Sequence, residues 1–400
     1  MSSSPNAPGN AGAVNAVLAG FLLWLAGNAL RLTILAVPPI LAPIRDEFSL
    51  SATEVALLSA IPPALFAVAS LVGSLLVARL GLRHALLGGL AVTAAGSVLR
   101  GAPGSFATLL AATIVMSAGV AMLQPIMPSI VRAWLPKRIG FGTALYTNGL
   151  LVGEVFPTLL TIPLVLPLLG GSWRGSLVFW SAPIAAIALV VWWLAPRETE
   201  TPRAPGAAPR AWLPDWHKGL VWRLGALFCC FNGIYFSANA FIPIYLASEG
   251  RHDLIGGALA ALNFGQIPAS FILLAVAGRM ERKAWPYIVA GAISLAAIAG
   301  LVFDVGARTA WWAAVLGFAV AAALILALML PPLLCKPEDV ARTAAGTFTL
   351  SYGGAVVMAL VGGIAWDLTG TPAMAFAPLA AGALALAGLA LFLRSKRELV

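Results

Sequence analysis

Long apolar segments alternate with short polar gaps along the whole chain. Twelve segments approach the length of about 20 mostly apolar residues that a helix needs to cross a bilayer. They span residues 15–41, 53–77, 84–100, 104–133, 139–168, 175–195, 220–247, 254–277, 284–303, 308–334, 341–366 and 373–393. The alternating segments of a transmembrane β-barrel, about ten residues each, do not occur in the sequence. The pattern therefore predicts an all-α polytopic membrane protein with 12 transmembrane helices.

The same pattern divides the chain into two halves. Residues 196–218 are the least apolar internal stretch and are rich in proline and charge, which is typical of a flexible linker. They separate residues 1–195, which begin with a flexible tail at 1–12, from residues 219–400. A shift of 204 residues places Asn28 on Asn232 and Gly149 on Gly353. Two parallel six-helix halves of this kind are typical of secondary transporters.

Composition and charge also favour a membrane protein. The chain is 60% hydrophobic and 10% charged, whereas ordinary globular proteins are about 25% charged. The net charge of +9 does not indicate nucleic-acid binding, because 18 Lys and Arg residues lie in gaps on one predicted side of the membrane and five on the other. This bias places both termini and the linker in the cytoplasm. The three cysteines lie in apolar stretches, and no spacing indicates a disulfide, a metal site or a cofactor.

Two gaps resemble a loop motif of the major facilitator superfamily, G-x-L-x-D-R-x-G-R-R. The first reads Ser74-Leu-Leu-Val-Ala78-Arg79-Leu-Gly81-Leu-Arg83, with Ser and Ala in place of the first Gly and the Asp. Its counterpart in the second half is Gly278-Arg279-Met-Glu281-Arg282-Lys283, which keeps the Arg pattern and also lacks the Asp. The resemblance implies the major facilitator fold and a gating role for Arg79 and Arg279.

Further stretches resemble the bacterial cyanate and 2-nitroimidazole transporter family within that superfamily. They occur in the same order along the chain and include Asn28-Ala-Leu-Arg31, Pro38-Pro39, Gln124-Pro125-Ile-Met-Pro128, Ser351-Tyr352-Gly353 and Asp367-Leu-Thr-Gly370. Thr349 is a departure, because many relatives are expected to carry a Gln there. The resemblance implies a small anion such as cyanate as substrate, a bacterial inner membrane location and a monomer.

Arg31 is the charge placed deepest in a predicted helix. A charge at the centre of a spanning helix costs at least about 2.5 to 3.5 kcal/mol, so Arg31 is expected to face a polar cavity together with Asn28, three residues earlier. A guanidinium can grip a small anion through two hydrogen bonds. The alternatives are a structural ion pair with a helix acid, or a side chain that extends to the membrane interface.

Glu154 is the other deeply placed charge, one residue after the small-residue pair Gly149 and Gly153. It is a candidate for coupling or gating, either as a proton carrier or as the partner of Arg31. A Glu that is permanently protonated or hydrogen-bonded to a neighbouring helix is the alternative.

Several polar side chains recur at helical spacing and are expected to line the substrate route. For each of them the alternative is an interhelical hydrogen bond, worth only about 0.6 kcal/mol. These candidates are Gln124, Tyr146, Asn148, Tyr235, Asn239, Asn263, Gln266, Ser351 and Tyr352.

The sequence therefore predicts a secondary active transporter of a small anion and not an enzyme. It contains no HExxH, GxSxG or Walker A pattern. Protons are the candidate coupling ion. The alternative function is export of small neutral or drug-like molecules such as nitroimidazoles, in which case Arg31 would be a structural partner.

Overall fold

The computed structural model describes residues 16–50, 52–196 and 211–391. The predicted tail at 1–12 and most of the predicted linker lie outside these residues. The described ranges contain helices and turns and no strand. The helices are α1 (Ala16–Ala29), α2 (Leu41–Phe48), α3 (Ala52–Leu99), α4 (Phe106–Trp134), α5 (Ile139–Leu160), α6 (Leu166–Leu168), α7 (Trp173–Leu194), α8 (Gly219–Ser248), α9 (His252–Phe264), α10 (Gln266–Met280), α11 (Trp285–Phe303), α12 (Thr309–Leu328), α13 (Leu330–Leu334), α14 (Val340–Thr369) and α15 (Ala377–Leu389).

The twelve predicted crossings are confirmed within the described ranges. Ten helical segments are long and apolar enough to cross a membrane, and α1 is a shorter apolar helix. One of the ten, Ile61–Leu99, is two crossings, because Gly81 inside it has φ 78° and ψ 170°. This backbone conformation favours glycine and turns the chain between the second and third predicted segments.

The first crossing differs from the prediction of one continuous helix over residues 15–41. The α-helix ends at Ala29, and turns follow before a short 3-10 turn at Pro38–Ile40 and the helix α2. Proline disfavours a helical conformation of the residue before it and cannot donate to the carbonyl four residues earlier. The two prolines at 38 and 39 therefore oppose continuation of the helix, and Arg31 lies just beyond its end.

Close packing of α1 on α5 fixes the interior of the first half. A Cβ atom built on Gly27 would lie 2.0 Å from the carbonyl oxygen of Tyr146, and one built on Gly149 would lie 2.2 Å from that of Trp24. The backbones of the two helices thus touch, as small residues allow in membrane proteins. The equivalent pair in the second half, α8 and α14, also packs together. This equivalence agrees with the 204-residue repeat.

The two halves meet mainly on one side of the membrane. This side carries the turn of α3 at Gly81 and the connections at 135–138, 281–284 and 335–339. Because α7 ends and α8 begins on the same side, we call it the linker side, and we call the opposite side the far side. Ser70 donates to the carbonyl of Ala345 at 3.4 Å, and Arg132 donates to the carbonyl of Pro332. Within the described ranges, the hydrogen bonds between halves lie on the linker side or in the middle of the bundle.

Candidate functional site

A pair of opposite charges lies inside the first half, where α1 ends against α5. The Nε atom of Arg31 is 3.3 Å from Oε1 of Glu154, and each side chain is 12% exposed. Gly153 makes this possible, because a Cβ atom there would lie 2.6 Å from the carbonyl oxygen of Asn28. The close approach of the two backbones therefore places Glu154 beside Arg31, which is one of the arrangements left open by the sequence.

The pair leaves hydrogen-bonding capacity on the guanidinium. The buried Nε of Arg31 has no hydrogen-bond acceptor among the described residues, although Glu154 is near. The contact is therefore electrostatic and not a bidentate hydrogen-bonded fork. The guanidinium also lies over the ring of Phe66, with its central carbon 5.7 Å from the ring centroid, at cation–π distance.

Aromatic rings surround Tyr352 near this charge pair. The Tyr352 ring contacts those of Phe66, Phe236 and Phe348, with centroids 5.0, 5.8 and 6.1 Å away. The Tyr235 ring joins this cluster through Phe236, with centroids 5.2 Å apart, and the Phe66 ring links the cluster to Arg31. The spacing of polar residues in the sequence indicates the two tyrosines but not the phenylalanines, because an aromatic residue in an apolar helix gives no signal of its own.

Polar side chains of α8 and α9 form a connected group in the second half. Tyr235 donates its hydroxyl to Oδ1 of Asn263 at 2.6 Å, and Asn263 donates to Oδ1 of Asn239 at 3.2 Å. All three residues are only partly buried. Gln266 follows at the break between α9 and α10, where its Nε2 atom is buried without a hydrogen-bond partner among the described residues. The group therefore combines accessible amides with an unused donor.

Two predicted residues connect the halves in the middle of the bundle. Asn148 accepts from Nε1 of Trp24 at 3.0 Å and donates to Oγ of Ser270, also at 3.0 Å. Gln124 donates to the hydroxyl of Tyr352 at 3.5 Å. Asn148 and Gln124 are 3% and 6% exposed, so these contacts join the halves at buried positions between the charge pair and the linker side. Trp24 carried no signal in the sequence.

Three other predicted residues, Asn28, Tyr146 and Ser351, are buried. Asn28 donates to the carbonyl of Trp24 at 2.9 Å, and Ser351 accepts from Asn232 at 2.6 Å. Tyr146 is 2% exposed. The Asn28 contact lies within α1, whereas the Ser351 contact joins α8 to α14.

The predicted gating arginines are both exposed on the linker side. Neither Arg79 nor Arg279 forms an ion pair with a described residue. In the second of these gaps it is Glu281 that contacts the other half: its Oε1 accepts from the backbone N–H of Gly140 at 2.8 Å. Gly140 lies in the first turn of α5, where backbone donors lack helical partners and a negative charge is favoured. Glu281 was visible in the sequence as an acid in the second motif-like gap, but the motif directed attention to its arginines.

A second acidic contact closes the far side of the first half. Glu47 of α2 accepts from Nε1 of Trp173 at 2.7 Å and from Nη1 of Arg174 at 2.8 Å. These hydrogen bonds, that of Arg174 foremost, hold the pKa of Glu47 below its ordinary value. They fasten the segment after α1 to the start of α7.

The described residues contain no group of three His, Cys, Asp or Glu side chains that could hold a metal ion. The site therefore offers one cation, one carboxylate, amides, hydroxyls and aromatic faces.

Comparisons with known proteins agree with this architecture. The sequence profile described as "Major Facilitator Superfamily" matches residues 16–357. The chain is 26% identical to the cyanate transport protein CynX of Escherichia coli over 318 residues, covering 77% of this chain and 79% of that protein. It is 25% identical to the 2-nitroimidazole transporter of Escherichia coli, covering 78% of each. The transporter FucP in its outward conformation matches with a TM-score of 0.73 at 15% identity, covering 95% of this chain and 98% of FucP.

Proposed function

Because this chain belongs to the major facilitator superfamily, whose members are transporters and not enzymes, we propose that it is a secondary active transporter of a small anion. The proposed substrates are cyanate and related small organic or inorganic anions. Movement occurs by alternating access, in which the two halves rock around one central site. The relative named as a cyanate transport protein supports this substrate class.

The observation that carries the proposal is the mostly buried, incompletely hydrogen-bonded guanidinium of Arg31. It is a cation near the middle of the bundle, it is 12% exposed, and its Nε donor has no acceptor among the described residues. A permanently charged guanidinium in a membrane interior requires a counter-charge, and Glu154 satisfies that need without forming the paired hydrogen bonds of a strong salt bridge. An incoming anion can supply those hydrogen bonds.

Glu154 then couples anion binding to proton movement in this proposal. When an anion binds Arg31, the carboxylate of Glu154 loses its electrostatic partner and gains a negative neighbour. Both changes favour uptake of a proton by Glu154. Release of the anion restores the attraction to Arg31 and releases the proton. Asn239, Asn263 and Gln266 supply amide groups from the opposite half.

The contacts between halves support an outward-open arrangement. The halves are joined by hydrogen bonds on the linker side and in the middle of the bundle. The positive-inside bias assigns the linker side to the cytoplasm. In this proposal the protein lies as a monomer in a bacterial inner membrane, with both termini in the cytoplasm and the central site open to the outside. The match to FucP in its outward conformation supports the same state.

A second candidate function is export of small neutral aromatic molecules such as nitroimidazoles. The cluster of the Phe66, Tyr352 and Phe236 rings, of which Phe66 lies beside Arg31, favours this candidate, because aromatic faces bind planar rings. One relative is named as a 2-nitroimidazole transporter. In this case Arg31 and Glu154 would be a structural pair.

Thermal unfolding of the purified protein in detergent tests these functions. Cyanate, formate, acetate and 2-nitroimidazole are added at matched ionic strength, since a ligand at about 100 times its Kd stabilises by about 2.7 kcal/mol. We expect cyanate or a carboxylate to stabilise the parent protein, Arg31→Gln to lose this effect, and Arg31→Lys to keep part of it. Arg308→Gln, which removes an exposed far-side charge, is the matched control. Stabilisation by 2-nitroimidazole alone, unchanged in Arg31→Gln, would favour the second function.

A further inference from the structure

The backbone just after Arg31 lacks a helical hydrogen bond. In a continuous helix the carbonyl of Thr33 would accept from the N–H of Val37, but Val37 donates to the carbonyl of Ile34 instead, at 3.4 Å. A buried carbonyl without a partner is unfavourable, and in a membrane no water replaces the missing donor. The Thr33 carbonyl therefore needs a donor from outside α1.

Arg100 supplies that donor. It follows the C-terminus of α3, and its Nη2 atom donates to the Thr33 carbonyl at 2.8 Å and to Oγ of Ser97 at 3.3 Å. The hydroxyl of Thr33 in turn contacts the sulfur of Met116 on α4, at 3.3 Å. The turn after α1 is thus held by both α3 and α4 on one side, while Glu154 of α5 attracts Arg31 on the other.

Arg100 is an unusual residue for a purely structural contact. Its side chain is 0% exposed, no described carboxylate pairs with it, and its Nε and Nη1 atoms have no hydrogen-bond partner among the described residues. Its position at a helix C-terminus compensates part of the charge. Burial of a charge without a counter-charge inside the protein is nevertheless costly, which sets Arg100 apart from ordinary structural residues.

We propose that Arg100 is a positioning residue for the central site. It replaces the missing hydrogen bond of Thr33 and so fixes the turn that carries Arg31, two residues earlier, against Glu154. The consequence for anion binding rests on the proposed function, whereas the effect on the turn and on the charge pair does not.

Thiol labelling tests whether Arg100 holds the turn. Ala36, which is 0% exposed in the same turn, is replaced by Cys in a chain whose three native cysteines are replaced by Ala. We expect maleimide to label Ala36→Cys at least tenfold faster when Arg100→Met is added. Arg100→Lys retains a donor and should label at an intermediate rate. This variant takes the place of Arg100→Met in the test if Arg100→Met does not fold. Arg308→Gln, which removes an exposed far-side charge away from this turn, should label at the parent rate. Equal labelling in folded Arg100 variants and parent would overturn the proposal.

Thermal unfolding tests whether this holding acts on the charge pair. If Arg100 positions Arg31 against Glu154, the drop in Tm caused by Glu154→Gln should be clearly smaller in the Arg100→Met or Arg100→Lys background than in the parent. Additive drops in Tm would show that Arg100 is structural only and would refute the positioning role. Both measurements are made without a ligand. Failure of every anion to bind the parent protein would therefore count against the proposed function alone.

Discussion

Removing either partner of the central charge pair should have unequal effects. At 3.3 Å between Nε of Arg31 and Oε1 of Glu154, and with an effective dielectric constant of about 20, the Coulomb attraction is about 5 kcal/mol. The loss of one partner from a buried pair typically costs about 3–5 kcal/mol, because the other charge stays buried without compensation. Since both side chains are 12% exposed, we place the cost at the lower end of this range.

The asymmetry arises because only one of the two charges can be neutralised. In Arg31→Gln, Glu154 can take up a proton and become neutral, so we expect a loss of about 1 kcal/mol in the free energy of unfolding. In Glu154→Gln, Arg31 keeps its charge at any accessible pH, so we expect a loss of about 3 kcal/mol. The guanidinium should also bind an anion more tightly, because the attraction to Glu154 no longer competes with the anion. Each 1.4 kcal/mol of that lost attraction lowers the Kd of the anion about tenfold.

Thermal unfolding and isothermal titration of the two variants with cyanate and formate measure both effects. Glu154→Gln should be the less stable variant without ligand and should gain more from the anion than the parent does. Arg31→Gln should gain nothing. If the two variants are equally destabilised, or if anions bind Glu154→Gln more weakly than the parent, the competition between Glu154 and the anion is refuted.

Three further predictions concern the contacts around the site. Glu281→Gln removes the negative charge at the start of α5 and should shift the equilibrium away from linker-side closure by about 1 kcal/mol, as distances between spin labels on the two halves would show. Hydrogen bonds from Arg174 lower the pKa of Glu47. Their contribution to stability is therefore present above the ordinary Glu pKa of about 4.3 and is lost as the pH falls through the lowered value. Melting curves from neutral to acid pH should show a smaller loss of stability on acidification in Arg174→Gln than in the parent. Gly149→Val should abolish folded protein in size-exclusion profiles, because its Cβ would lie 2.2 Å from a backbone oxygen, whereas Gly88→Ala, with nothing within 4 Å, should be tolerated.

The number and order of the crossings could be predicted because bilayer thickness fixes the length of an apolar segment. The position of Arg31 past the end of α1 could not, because hydropathy counts apolar residues and does not register a break in backbone hydrogen bonds. The break between α9 and α10 at Gly265 escaped prediction for the same reason.

Tertiary contacts of single residues were also hidden from the sequence. The proximity of Arg31 and Glu154 was one of several alternatives, and it depends on how closely Gly153 lets α5 approach α1. The contact of Glu281 with α5 joins residues 141 positions apart, so no local pattern reveals it. Phe66 lies within a run of apolar residues, and only the fold brings its ring beside a guanidinium.

The backbone contact between α1 and α5 limits what can change the central charge pair. Both helices belong to the same half, and their backbones are in direct contact at Gly27 and Gly149. Rocking of one half against the other therefore carries Arg31 and Glu154 together as a unit and does not pull them apart. Only a chemical event, the arrival of an ion or a proton, can alter their attraction. The pair therefore responds to the binding of an ion or a proton, and it can respond in the same way whether the cavity opens to one side of the membrane or to the other.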